Sequence, residues 1–199
     1  MHLKLIGLPV LALLFVGVTA SAHSQVAPSA REGNIPLTIG VGGSEYILDW
    51  GHTRHEAGIT AWVDWRLLRM PKLLDGLGIE AEGRDINYFH PAALPTLRQD
   101  TGLIGPIYQW RKHERLRPYA KYLIGIGSID FPDTINPNYK HDSRTVLAPG
   151  GGVDVKAWRR LSVRVDYEYQ FWNSLFGPHD LTPNGLTVGV VYDFGRRNE

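Results

Sequence analysis

The chain has 199 residues, no cysteine, and a formal charge of +1 from 21 lysines and arginines against 20 aspartates and glutamates. Disulfides, cysteine-based metal sites and thiol chemistry are excluded, and the near-even charge gives no footprint for a nucleic-acid partner. Past the first segment there is no apolar run of ~18 residues, so no transmembrane helix is expected; a slightly negative mean hydropathy still suits a membrane barrel, where every second strand residue is polar.

The chain opens on a secretory signal. Lys4 supplies a positive start, Leu5 to Val18 an apolar stretch broken by glycine and proline, and Ala20-Ser21-Ala22 a small-x-small cleavage site. A membrane anchor is the alternative, but the stretch is short for a spanning helix and small polar residues follow at once. The expected organisation is a signal peptide over 1–22, a flexible leader over 23–34, a barrel over 35–194 and a short periplasmic tail over 195–199.

Eight strand-like segments follow, over 35–46, 55–68, 79–89, 99–110, 118–131, 145–158, 161–172 and 185–194. The signal is period-2 alternation. Leu37, Ile39 and Val41 alternate with Thr38, Gly40 and Gly42 in the first segment; Ile59, Ala61, Val63 and Trp65 alternate with Thr60, Trp62, Asp64 and Arg66 in the second. Ile79 and Ala81 oppose Glu80, Glu82 and Arg84 in the third. The fourth is weaker, setting Ile104, Pro106, Tyr108 and Trp110 against Leu103, Gly105, Ile107 and Gln109. The fifth sets Ala120, Tyr122, Ile124 and Ile126 against Lys121, Leu123, Gly125 and Gly127; the sixth sets Val153, Val155 and Ala157 against Asp154, Lys156 and Trp158. LSVRVDYEYQFW (161–172) alternates with hardly a slip, Arg164, Asp166 and Glu168 on one face and Val163, Val165 and Tyr167 on the other. The last sets Leu186, Val188, Val190, Tyr192 and Phe194 against Thr187, Gly189, Val191 and Asp193. Arg66 to Leu77 is the best helical candidate, but Pro71 and Gly76 make it a turn. Pro106 and Pro149 each remove a ladder donor, so a bulge or a barrel rim is expected near them.

Connections alternate in length. Ile47–Arg54, His90–Arg98, Pro132–Arg144 and Asn173–Asn184 are long; Arg69–Gly78, Arg111–Arg117 and Arg159–Arg160 are shorter. An outer-membrane barrel has this pattern, with long loops outside and short turns in the periplasm.

Alternation alone does not say which face is inside. A soluble lipocalin-like barrel carrying a small apolar ligand would put the apolar face inward; a membrane barrel puts it against lipid. Three features favour lipid. Eight strands leave an interior that side chains can just fill, so charges of both signs can pair across it. Aromatic residues sit near segment ends, Trp65, Trp110, Tyr119, Trp158, Tyr192 and Phe194 at one side and Tyr46, Tyr88, Phe89, Phe131 and Phe171 at the other, where membrane interfaces collect rings. A secreted chain without cysteine also lacks the usual staple of small soluble domains.

The end of the chain decides between them. TVGVVYDF resembles the C-terminal recognition strand of outer-membrane barrels, with Thr187, Gly189, Tyr192 and Phe194 at its polar, glycine and two aromatic positions; Gly195 to Glu199 follow as a short extension. The resemblance implies recognition by the barrel-assembly machinery. GPIYQWRKHERLRPYAKYLIGIG (105–127) and GGGVDVKAWRRLSVRVDYEYQF (150–171) resemble strand–turn–strand units of the OmpA-like family of small outer-membrane β-barrels. Glycines at Gly125, Gly127, Gly152 and Gly189 then make room for bulky lumenal neighbours. What the resemblance implies is an eight-stranded antiparallel up-and-down transmembrane β-barrel of the cell outer membrane, not a reaction.

The expected lumenal charge network is Asp64, Arg66, Glu80, Glu82, Arg84, Lys121, Asp154, Lys156, Arg164, Asp166, Glu168 and Asp193. No catalytic residue, metal or cofactor is expected. Outer-membrane lipids are the expected partners, loop ligands are unspecified and nucleic acid is not expected. An outer-membrane lipid A-modifying enzyme is a further alternative, its nearest candidates being Ser174 with His179 and Asp180 in one loop. His52 and His55 read as a solvated rim rather than a metal pair. The basic turn of Arg111, Lys112, His113, Arg115 and Arg117 reads as a solvated periplasmic turn, with binding to membrane phosphates as its alternative.

Overall fold

The computed structural model describes residues 34–48, 54–68, 70–88, 98–113, 115–130, 141–173 and 181–195. The expected signal peptide, nearly all of the leader, residues 196–199 of the tail and most of each long connection lie outside them. Among the described residues every regular element is a strand: β1 (Asn34–Leu48), β2 (Arg54–Arg66), β3 (Leu77–Tyr88), β4 (Arg98–Gln109), β5 (Leu116–Asp130), β6 (His141–Lys156), β7 (Leu161–Tyr169), β8 (Phe171–Trp172) and β9 (Asn184–Gly195). β7 and β8 are two parts of one barrel strand, interrupted at Gln170. No described helix is long and apolar enough to cross a membrane, which says nothing of crossing by strands.

Neighbours in sequence pair antiparallel, β1 lies beside β9, and β5 pairs with β6, so the sheet closes as an eight-stranded barrel. Closure leaves no unpaired edge for another chain to extend. Because successive side chains point to opposite faces, each strand delivers one set of residues to the lumen and one to the outside. The outer set is apolar across the middle of the barrel: Ile39, Ile59, Val63, Ile104, Ile124, Ile126, Val163, Val188 and Val190 are all exposed, Ile126 at 66%. Toward the long-loop end the outer face turns polar. His55 meets Glu45 at 3.2 Å, Arg98 meets Asp85 at 3.2 Å and Asp100 at 3.1 Å, and His141 meets Asp130 at 2.7 Å. An apolar belt bounded by such a collar matches a lipid-facing surface and excludes the carrier arrangement, which needs Val163 and Val190 inside.

The expectation near the prolines is a bulge or a rim, and Pro106 does lie close to the turn end of β4. Neither brings a bulge. The β4–β5 ladder skips Gly105 and Pro106 and resumes in the same register, from Ile104 opposite Ile124 to Ile107 opposite Lys121. Pro149 keeps its place opposite Tyr122 on β5, and β6 pairs with β7 and then β8 across the break at Gln170. A missing donor removes a hydrogen bond without displacing the chain. Between β2 and β3 the register shifts at Ala57 and Gly58. Strand ends also move: β6 starts at His141 and stops at Lys156, because Ala157 and Trp158 donate their backbone N–H groups to Leu161 O at 3.0 and 2.9 Å in a tight turn.

Candidate functional site: the lumen and its turn-end mouth

The lumen is filled in three zones. At the long-loop end an apolar cluster fills it beside the buried Gln99 and Gln170. Tyr46 and Leu48 from β1, Ile86 from β3, Leu103 from β4, Leu123 and Ile129 from β5, Val146 and Ala148 from β6, and Trp172 from β8 form one buried cluster, with Leu181 packed against it. The alternation already placed Leu103 and Leu123 on lumenal positions. It did not show that the cluster converges as a plug, because its members come from strands far apart in sequence.

Below the plug lies an ion network. The Lys121 ammonium stands among four carboxylates, 3.1 Å from Glu80, 2.7 Å from Glu82, 3.0 Å from Asp166 and 3.2 Å from Glu168. Oxygens of Glu82, Asp166 and Glu168 lie within 4.8 Å of one another, a grouping that could hold a metal ion; here the lysine supplies the positive charge. Arg84 donates to Glu168 at 2.7 Å, to Glu82 at 2.5 Å and through Nε to Thr60 at 2.9 Å, with its guanidinium 4.4 Å from the centre of the Tyr46 ring. Arg164 donates to Asp154 at 2.7 Å, Glu80 at 2.8 Å and Asp64 at 2.8 Å, between the rings of Trp62 and Tyr119. Tyr119 donates to Asp166 at 2.5 Å and Tyr46 to Glu168 at 3.2 Å. Ser44 bridges Thr60 at 2.5 Å and Thr187 at 2.7 Å. Buried charges are costly unless paired, and here Arg84, Lys121 and Arg164 each contact two or more carboxylates.

Nine of the twelve expected network residues meet here: Asp64, Glu80, Glu82, Arg84, Lys121, Asp154, Arg164, Asp166 and Glu168. Arg66, Lys156 and Asp193 do not; they sit, half-buried, nearer the turn end. Tyr46 and Tyr119, expected in the aromatic girdles, are buried in the lumen, where their hydroxyls reach carboxylates. Trp65, Trp110 and Trp158 are exposed near the turn end, as girdle residues would be. Lumenal glycines admit the rings. A Cβ on Gly189 would lie 2.6 Å from the Trp62 ring, and one on Gly127 would overlap the Trp172 ring.

At the turn end the lumen opens into a cavity lined by Arg66, Arg111 and Arg117 with Asp64, Asp154 and Asp193. Arg117 approaches Asp193 at 3.9 Å, and Arg111 donates to Gln109 at 3.3 Å. Burial, with Arg66 and Arg117 close by, lowers the Arg111 pKa to about 10. His55 pairs with Glu45 at 3.2 Å, while His52, Ser174, His179 and Asp180 lie outside the described residues.

A family model described as an outer membrane protein beta-barrel domain matches residues 9–194. No curated protein matches the chain. Among solved structures, Neisserial surface protein A is similar with a TM-score of 0.64 at 10% identity, covering 79% of this chain and 97% of that one. Ail, the attachment invasion locus protein of Yersinia pestis, is similar with a TM-score of 0.55 at 16% identity, covering 78% of this chain and 96% of that one. At these identities the likeness is one of fold.

Proposed function

The chain belongs to the outer membrane protein β-barrel domain family, and on that premise we propose that it is a non-catalytic barrel of the outer membrane whose interior is closed by its own side chains. Its role is structural, or one of surface interaction through the long loops. The observation that supports this reading is the inverted polarity of the fold. Aliphatic residues cover the outside while Arg84, Lys121 and Arg164 are buried among carboxylates. A barrel of eight strands has room for side chains or for a passage, not both. Inside the lumen the hydroxyls of Ser44, Thr60 and Thr187 bond one another or Arg84, and those of Tyr46 and Tyr119 donate to Glu168 and Asp166 of the ion network.

The test has two parts. Outer-membrane fractions containing the chain are run unboiled and boiled on an SDS gel; a mobility shift is expected, because a closed sheet resists detergent until heated. Purified barrel is then placed in a planar lipid bilayer, where no sustained conductance is expected. A protein found only in soluble fractions, or a steady ohmic channel, would sink the proposal.

A further inference from the structure

The turn-end cavity holds donors that the ion network does not use. Arg66 comes from the end of β2, Arg111 from the β4–β5 turn and Arg117 from the start of β5, and all three line the same space. Its volume is about 40 Å³, on a measure by which one water needs roughly 10–15 Å³; a few waters or one tetrahedral anion fit. Of the neighbouring carboxylates, Asp154 and one oxygen of Asp64 hold Arg164, and Asp193 stands by Arg117. Asp154 binds Arg164 at 2.7 Å and accepts from the Gln109 amide at 2.8 Å. Asp64 gives Oδ2 to Arg164 at 2.8 Å. Asp193 accepts the Gly195 backbone N–H at 2.8 Å and stands 3.9 Å from Arg117. The Nε groups of Arg66 and Arg111 are buried without a hydrogen-bond partner among the described residues, and so is Oδ1 of Asp64. Buried donors on charged groups are costly to leave unbonded, and crowding by Arg66 and Arg117 adds to the burial of Arg111.

We propose that this cavity binds hydrogen phosphate as the free ion. Guanidinium groups match phosphate oxygens with paired N–H donors. A mixed lining of arginines and one unbonded carboxylate oxygen selects among anions. Hydrogen phosphate accepts from the arginines and donates its own proton to Asp64. Sulfate and the phosphodiester of a phospholipid carry no proton at neutral pH, and a phosphomonoester is there mostly the proton-free dianion, so each would meet Asp64 as one anion meets another. The exposed Lys112 and Arg115 on the same turn raise the local concentration of anions. The basic turn is thus the rim of a phosphate pocket rather than a headgroup clamp.

The refolded full barrel in maltoside micelles and phosphate-free buffer is titrated with sodium phosphate in a calorimeter, then with sulfate at equal ionic strength. Saturable one-to-one phosphate binding is expected, with sulfate weaker by roughly tenfold, the scale of one charge-assisted hydrogen bond. Arg66→Gln and Arg111→Gln should each weaken phosphate by at least that factor while keeping the heat-shifted gel band. Asp64→Asn should erase the preference over sulfate. Glucose 6-phosphate, mostly a proton-free dianion at neutral pH, should bind as weakly as sulfate; binding as tight as phosphate would overturn the part assigned to Asp64. No saturable binding, equal affinity for sulfate, indifference to the arginine substitutions, or competition by phosphatidylglycerol vesicles would each overturn the proposal.

Discussion

At the scale of single residues, Lys121 is the position on which most depends. Its ammonium is shared by Glu80, Glu82, Asp166 and Glu168, so its loss leaves a knot of buried carboxylates. Removing one partner from a buried ion network costs about 3–5 kcal/mol. Lys121→Met, which keeps most of the volume, should lower the urea midpoint of the barrel in lipid vesicles by that amount; a loss near zero would mean the carboxylates are already neutral or hydrated. Arg111 should behave in the opposite sense. Its pKa in the fold is lowered to about 10 by burial and by Arg66 and Arg117, so from about 10 up to the higher ordinary arginine value the unfolded chain binds the proton more readily than the barrel. That group therefore contributes stability as pH rises through about 10 and detracts below it. In phosphate-free buffer Arg111→Gln should raise the unfolding midpoint at pH 8, and the gain over wild type should shrink by pH 11. An unchanged gain would show that the arginines do not repel.

At the scale of elements, β9 carries two kinds of information on its two faces. Thr187 is buried against Ser44, and Gly189 lies under the Trp62 ring. Tyr192 and Phe194 alternate to the outer face, their rings 4.8 Å apart at 73°. If that outer pair is what the assembly machinery reads, Phe194→Ala should cut the amount of barrel reaching the outer membrane several-fold. Chain refolded from urea into vesicles should still give the heat-shifted band. Equal losses in both settings would assign Phe194 to stability instead. The alternation made these faces legible in advance. It did not foresee that Pro106 and Pro149 leave register untouched, because register is held by the paired residues on either side.

At the scale of the whole molecule, the closed sheet turns the period of two into an inside and an outside. Ile124 sits in the middle of the apolar belt, half exposed. Arginine on the lipid face near the bilayer midplane costs ~2–4 kcal/mol, so Ile124→Arg should slow insertion into vesicles and lower the urea midpoint accordingly. A neutral result would contradict the lipid-facing assignment. The sequence by itself determined the strand count, the long–short order of connections and which residues share a face, since each follows from neighbours along one chain. The terminal strand also pointed to the family. Only the tertiary structure decided what those faces meet. Lys121 finds carboxylates from β3 and β7, the apolar plug draws on β1, β3, β4, β5, β6 and β8, and Arg66 joins Arg111 and Arg117 around one cavity. Those encounters depend on how closed strands stagger across a narrow lumen, a distance that no local pattern encodes.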